Sequence, residues 1–179
     1  MPEYGGTHLE APIHFGEGRQ AAHGIPLGSL VARAVVIDVS SMASTDGEYL
    51  LMPDDVAAFE RLHGTIAPGI IVLPRTGWSA RWPDRLAYLG DDRPGDASNL
   101  PFPSFGAEAA RLLVESLVAA LGADVASIDG GKSADFRPAG RAFRRQGWIP
   151  DVCLPGRDGV ALPEGETPVT RPSARERIP

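Results

Sequence analysis

The chain predicts an α/β or α+β domain, and three observations predict it. Two stretches carry an apolar stripe at helical spacing closed by a glycine, Pro53 to Gly64 and Ser104 to Gly122. Short β-branched or wholly apolar runs, Ala34 to Val39 and Gly69 to Leu73, have the length and composition of strands and are mixed with those helical stretches. At 179 residues the chain fits one domain with enough length to bury a real core.

The first element is Tyr4 to Phe15, with the sequence Tyr-Gly-Gly-Thr-His-Leu-Glu-Ala-Pro-Ile-His-Phe. In an extended strand Tyr4, His8, Glu10 and His14 share one face, and Thr7, Leu9, Ala11, Ile13 and Phe15 share the other. At about 3.3 Å per residue His8 and Glu10 can reach one metal ion, whereas His14 would lie roughly 20 Å from His8 in a straight strand. Pro12 lacks a backbone donor and fixes φ, so a bend is expected there to bring His14 back. Imidazole with carboxylate suits zinc, manganese or iron, and a third ligand plus an open position would activate water. A pair of partly buried histidines with Glu10 as hydrogen-bond partner is the plainer alternative.

Residues 16 to 29 are Gly-rich and polar and predict a surface loop with a solvated His23. Residues 33 to 39 predict a strand in which Asp38 points away from Ile37 and Val39; a polar loop follows through Gly47. Pro53-Asp54-Asp55 opens a helix whose stripe is Val56, Phe59 and Leu62, with His63 in the last turn before Gly64. The run Gly69 to Leu73 predicts a strand buried on both faces that delivers Arg75-Thr76-Gly77-Trp78 to its end. Arg75 there can bind a substrate carboxylate, orient a metal ligand, or pair with an acid. Residues 77 to 104 carry Trp78, Trp82, Tyr88 and Phe102 and predict a packed loop over a pocket. Ser104 is placed as a helix cap, with Ala109, Leu112, Leu113, Leu117, Ala120 and Leu121 buried and Gly122 as the stop. Asp124 to Asp129 predicts a further strand.

A net charge of −6 without a basic stripe argues against nucleic acid, and a single cysteine, Cys153, excludes an internal disulfide or a cysteine-based zinc cluster. No apolar run or signal segment points to a membrane, so a cytoplasmic protein is expected. Gly131-Lys132-Ser133 has Ala126 where a phosphate-binding loop needs glycine, and no Gly-x-Ser-x-Gly elbow occurs. Bases outnumber acids after residue 136, in a stretch rich in Pro, Gly and Arg. That composition predicts irregular or disordered chain, and is also what a shifted reading frame in a GC-rich gene would give.

The motif Tyr4, Gly6, Thr7, His8, Glu10, Pro12, His14 resembles the cyclase-family signature His-x-Gly-Thr-His-x-Asp-x-Pro-x-His. That family includes bacterial kynurenine formamidase, isatin hydrolase and trans-dienelactone hydrolase. The likeness continues through Arg75 to Trp78, Tyr88 to Gly90, Phe102 to Phe105, Glu108 to Ala110 and Asp124 to Asp129. The resemblance implies residues 1–136 as a cyclase-like domain and 137–179 as a divergent tail. It also implies a mixed, barrel-like sheet flanked by helices, a homodimer, and metal-dependent hydrolysis of a cyclic or aryl-linked amide or lactone. His8 and Glu10 would hold the divalent metal, zinc or manganese. His14 would act as general base or as ligand to a second metal, and Trp78, Phe15 and Arg75 would line the pocket for a small-molecule substrate.

The departures are specific. The family's first histidine is Tyr4 here, its aspartate is Glu10, its downstream histidine falls near Gly140, and its glutamate falls at Val152 with Asp151 one residue away. Tyr4 and Asp151 are therefore the candidate replacement ligands. Relatives carry several tens of residues before the motif, so a missing N-terminal segment is expected. Two alternatives stand beside the hydrolase: an inactive, truncated relative, and a metal-free small-molecule binding protein.

Overall fold

In the computed structural model, residues 7–15, 17–90 and 100–131 are described, together with the backbone of 151–153 and 165–167. The strand-forming runs predicted from β-branched composition become the centre of a six-stranded sheet. Its strands are β1 (His8–Glu10), β2 (Ala34–Asp38), β4 (Ile71–Arg75), β6 (Ala120–Ala123), β7 (Asp151–Cys153) and β8 (Gly165–Thr167), in the order β1-β7-β6-β4-β2-β8. β2, β4, β6 and β7 run parallel; β1 and β8 run antiparallel at the two edges. A two-stranded parallel sheet joins β3 (Leu50–Leu51) to β5 (Ser104–Phe105). The family fold is thus present as a mixed sheet with helices, but as an open sheet with two edges among the described residues, not a closed barrel. Of the tail that composition predicts to be irregular, 151–153 and 165–167 pair into this sheet; the rest of it lies outside the described residues.

Among the described residues five α-helices accompany the strands: α1 (Leu27–Leu30), α2 (Ser40–Thr45), α3 (Pro53–His63), α4 (Arg85–Leu89) and α5 (Ala107–Glu115). α3 begins at Pro53 and ends at Gly64 as read from the sequence, because proline suits the first helical turn and Gly64 takes φ 89°. Asp55 accepts from the Met52 amide at 2.7 Å and so satisfies one donor that the helix start leaves unpaired. α3 packs on α5 and on β2. Leu51, Val56, Val72, Phe102, Leu113, Leu121 and Ile128 form the fully buried centre.

Several expectations need correction. Residues 40 to 45, expected as loop, form α2, whose start follows the Asp38 carboxylate accepting from the Ser40 amide at 2.9 Å. The 16–29 loop contains a 3-10 turn at Ala22–Gly24 and the short α1. Leu62 does not complete the α3 stripe and is 81% exposed, since the stripe ends one turn earlier at Phe59. β4 alternates between buried and half-buried positions instead of being buried throughout.

α5 stops at Glu115, not near Gly122. Leu117 adopts φ 58°, and the amides of Leu117 and Val118 bond back to the carbonyls of Val114 and Leu113 at 3.0 and 3.4 Å. This is a Schellman ending with leucine where glycine is usual. The chain therefore enters β6 at Ala120, and the strand expected at Asp124 to Asp129 is a run of bends. Ser104 is not the cap of α5; it lies in β5 and its hydroxyl donates to the carbonyls of Ser127 and Ile128.

Candidate metal centre

β1 is an edge strand, and alternation along it puts His8 and Glu10 on one face with Leu9 on the other. His8 Nε2 lies 3.8 Å from Glu10 Oε1, with side-chain exposures of 16% and 17%. Two ligands bonded at about 2.0–2.2 Å to one tetrahedral ion stand about 3.4 Å apart, so this pair needs only a small closure to share a cation. Nitrogen and oxygen donors of these kinds fit a divalent transition metal. Among the described side chains, however, no three His, Cys, Asp or Glu groups come together.

The bend expected at Pro12 is present as a 3-10 helix, Pro12–Phe15, in which the His14 amide donates to the Ala11 carbonyl at 2.9 Å. The helix carries His14 off the strand line and leaves its side chain exposed. Phe15 contributes backbone to the same turn. Tyr4 and Gly140 lie outside the described residues. Asp151 is the Cα partner of Glu10, Val152 of Leu9 and Cys153 of His8.

β1 runs opposite to the parallel strands, so His8 lies at the end of the sheet where β7, β6 and β4 finish. That carboxyl end is where open α/β sheets commonly place their sites. Arg75, at the end of β4, pairs through Nη1 with Asp38 Oδ2 at 3.1 Å. The acid-pairing alternative is thus the contact Arg75 makes. Trp78 is 4% exposed, and its Nε1–H donates to the Tyr88 carbonyl at 2.8 Å while Arg81 stacks on its ring at 3.5 Å. It is a pillar of the core beneath the 77–90 segment, with little surface to offer a ligand.

One contact at this end was not read from the sequence. Asp124 Oδ1 accepts from the Thr76 amide at 3.0 Å and from its hydroxyl at 2.6 Å, and Thr76 Oγ1 in turn accepts from the Trp78 amide at 3.1 Å. These bonds fix the turn after β4 against the end of β6. The signal for it in the sequence is the apolar run Ala119 to Ala123 just before Asp124, which is strand β6. A cleft of about 140 Å³ lined by Ile37, Asp38, Met42, Phe59, Leu62 and His63 lies over β2, with β4, β6 and β7 between it and β1. It is small beside ordinary ligand pockets, which run to several hundred Å³.

The profile of the Cyclase family matches residues 1–130. The chain belongs to the cyclase family. Among cyclase-family relatives, isatin hydrolase of Roseibium aggregatum is 31% identical over 142 residues, covering 77% of this chain and 52% of that protein. The chain therefore spans about half the length of the curated relative it matches. Isatin hydrolase A of Labrenzia aggregata, solved with benzyl benzoate, superposes with a TM-score of 0.77 at 30% identity, covering 92% of this chain and 64% of that one. An isatin hydrolase solved with the product analogue thioisatinate gives a TM-score of 0.74 at 27% identity, covering 86% and 59%. No helix among the described residues is long and apolar enough to cross a membrane.

Proposed function

We propose that this cyclase-family chain carries the metal centre of a hydrolase that opens a cyclic or aryl-linked amide, or a lactone, with isatin-like compounds as the substrate class. The observation that carries the proposal is the His8–Glu10 pair, 3.8 Å apart at the carboxyl end of the sheet. His8 and Glu10 are the ligands, and Asp151, in register with Glu10, is the residue assigned to complete the set in place of the family's glutamate. A bound divalent ion, zinc or manganese, supplies a water of lowered pKa and polarises the carbonyl under attack.

The chain's own residues supply the rest. His14, turned off the strand by the 3-10 helix, is assigned to take the proton of the attacking water and return it to the leaving nitrogen or oxygen. Arg75, already neutralised by Asp38, holds the strand end in shape. The proposed enzyme is a cytoplasmic homodimer.

Hydrolysis of isatin and of a formyl-aryl amide, followed with zinc- and manganese-loaded protein, tests this proposal. His14→Ala should lower kcat by about 10²–10⁴-fold at unchanged metal content, the usual contribution of a positioned acid–base group. Equal turnover by wild type and His14→Ala would remove His14 from the reaction. A second reading is favoured by the convergence of only two ligand side chains among those described: a fold that has kept the signature without catalysis. Metal-loaded protein inert toward both substrates would support it, and ligand-induced stabilisation without metal would point instead to a binding protein.

A further inference from the structure

We propose that Gln20 is a positioning residue for His14: it holds the turn that carries His14, and its side-chain oxygen accepts the ring N–H of His14 while the other ring nitrogen takes the proton of the attacking water. The inference rests on the reading of His14 as the acid–base group of the hydrolase. The observation behind it is an unpaired atom. Gln20 Oε1 is buried and has no hydrogen-bond partner among the described residues. Gln20 Nε2 donates to the Gly24 carbonyl, and this settles the orientation of the amide, because the reverse orientation would set oxygen against oxygen. A buried acceptor left unpaired costs the full desolvation of that group, whereas a neutral hydrogen bond such as the one to Gly24 returns little net stability. The stability of the loop therefore does not account for this carboxamide. An acceptor held ready for a donor does.

Place decides which donor. The Ile13 amide donates to the Gln20 carbonyl at 3.0 Å, which brings Gln20 against the Pro12–Phe15 turn, one residue from His14. Ile13 is 48% exposed, so its side chain adds little packing to hold that turn in place. Gln20 is itself fixed from beyond, by Nε2 on Gly24 and by the turn whose last bond runs from the amide of buried Ile25 to the Ala22 carbonyl at 3.2 Å. The imidazole of His14 is exposed and so has room to rotate.

Acid–base chemistry asks for such a partner. A neutral imidazole has one N–H and one bare nitrogen, and the bond made by the first decides which nitrogen is bare. An acceptor on one side keeps the other nitrogen open to the proton of water and stabilises the imidazolium that forms. A carboxamide plays this part in Cys-His-Asn triads.

Two-bond ¹H–¹⁵N spectra of the zinc-loaded chain test the contact, with the His14 signals, among those of four histidines, assigned by their loss in His14→Ala. The expected result is one tautomer of His14 in wild type and a mixture in Gln20→Met. With isatin as substrate, Gln20→Met should lower kcat about 10–100-fold at unchanged KM and zinc content, the scale of losing the group that holds a working histidine in place. In the His14→Ala background it should lower kcat no further. A kcat equal to wild type, or the same loss in both backgrounds, would overturn this inference and leave the reading of His14 standing. Zinc-loaded wild type that hydrolyses neither isatin nor a formyl-aryl amide would overturn both. Should Gln20→Met not fold, the wild-type spectrum decides alone: a single His14 tautomer upholds the inference and a mixture overturns it.

Discussion

Glu10 is one methylene longer than the aspartate of the family signature, yet its oxygen comes within 3.8 Å of His8 Nε2, so the longer arm folds back along the strand instead of losing the pairing. Gln at this position keeps the shape and removes the charge. Glu10→Gln should therefore retain the fold by circular dichroism while weakening zinc binding about tenfold or more in a calorimetric titration. A second residue pair carries a pH signature. Tyr49 donates to both oxygens of Asp55 at 2.9 Å, and burial, then the hydrogen bond and negative charge of Asp55, push its hydroxyl from 10.0 up to about 12. A raised folded-state pKa means that the neutral phenol is the form the fold favours. Its contribution is complete below pH 10.0 and is lost as pH rises through about 12. In denaturant titrations wild type should be more stable than Tyr49→Phe at neutral pH, with the difference closing across that window. A constant difference would show that the bond is not coupled to folding.

Helix boundaries show what was legible in the chain and what was not. Pro53 and Gly64 bracket α3 because each has a local reason, a fixed φ at the start and a positive φ at the end, and local reasons can be read from sequence. α5 ends without such a mark. Leucine takes the left-handed position at Leu117, so the sequence carries no mark of the Schellman turn, the apolar pattern predicts a helix running to Gly122, and β6 begins four residues earlier than the strand that pattern predicts. The same turn gives a stability prediction. A left-handed leucine costs about 1–2 kcal/mol and is 62% exposed here, so its side chain returns little by burial. Leu117→Gly should raise the unfolding free energy by about 0.5–1 kcal/mol after the extra entropy of glycine in the unfolded chain is counted. A loss of stability in equilibrium unfolding would mean that the Leu117 side chain packs more than its exposure indicates. Gly90 gives the reverse case: it has φ 78°, and a Cβ there would run into the ring of Pro101. Gly90→Ala should accordingly destabilise the segment that Trp78 and Tyr88 anchor.

The sheet as a whole was legible in its central strands and obscure at its edge. Val35, Ile37 and Val72 announce themselves by β-branching, and the His8–Glu10 motif announces the family, but nothing in the composition of residues 137 to 179 announces that Asp151 to Cys153 stands between β1 and β6. Pairing between segments some 140 residues apart is set by register, which leaves no local trace. It also makes β7 the one link, among the described strands, between β1 and the rest of the sheet. Proline removes a ladder bond and is found in sheets mainly at edges, strand starts and bulges, and Val152 sits between two paired strands. Val152→Pro should therefore raise amide hydrogen exchange at residues 8 to 10 while leaving β2 and β4 protected. Unchanged protection in β1 would contradict the observed strand order.

The most direct test of the account is the zinc content of the purified chain after mild chelator dialysis, measured for wild type and for His8→Ala with the fold checked by circular dichroism. The account predicts close to one ion per wild-type chain and a large loss in folded His8→Ala. Wild type that retains no metal, or a His8→Ala variant that retains as much as wild type, would contradict it.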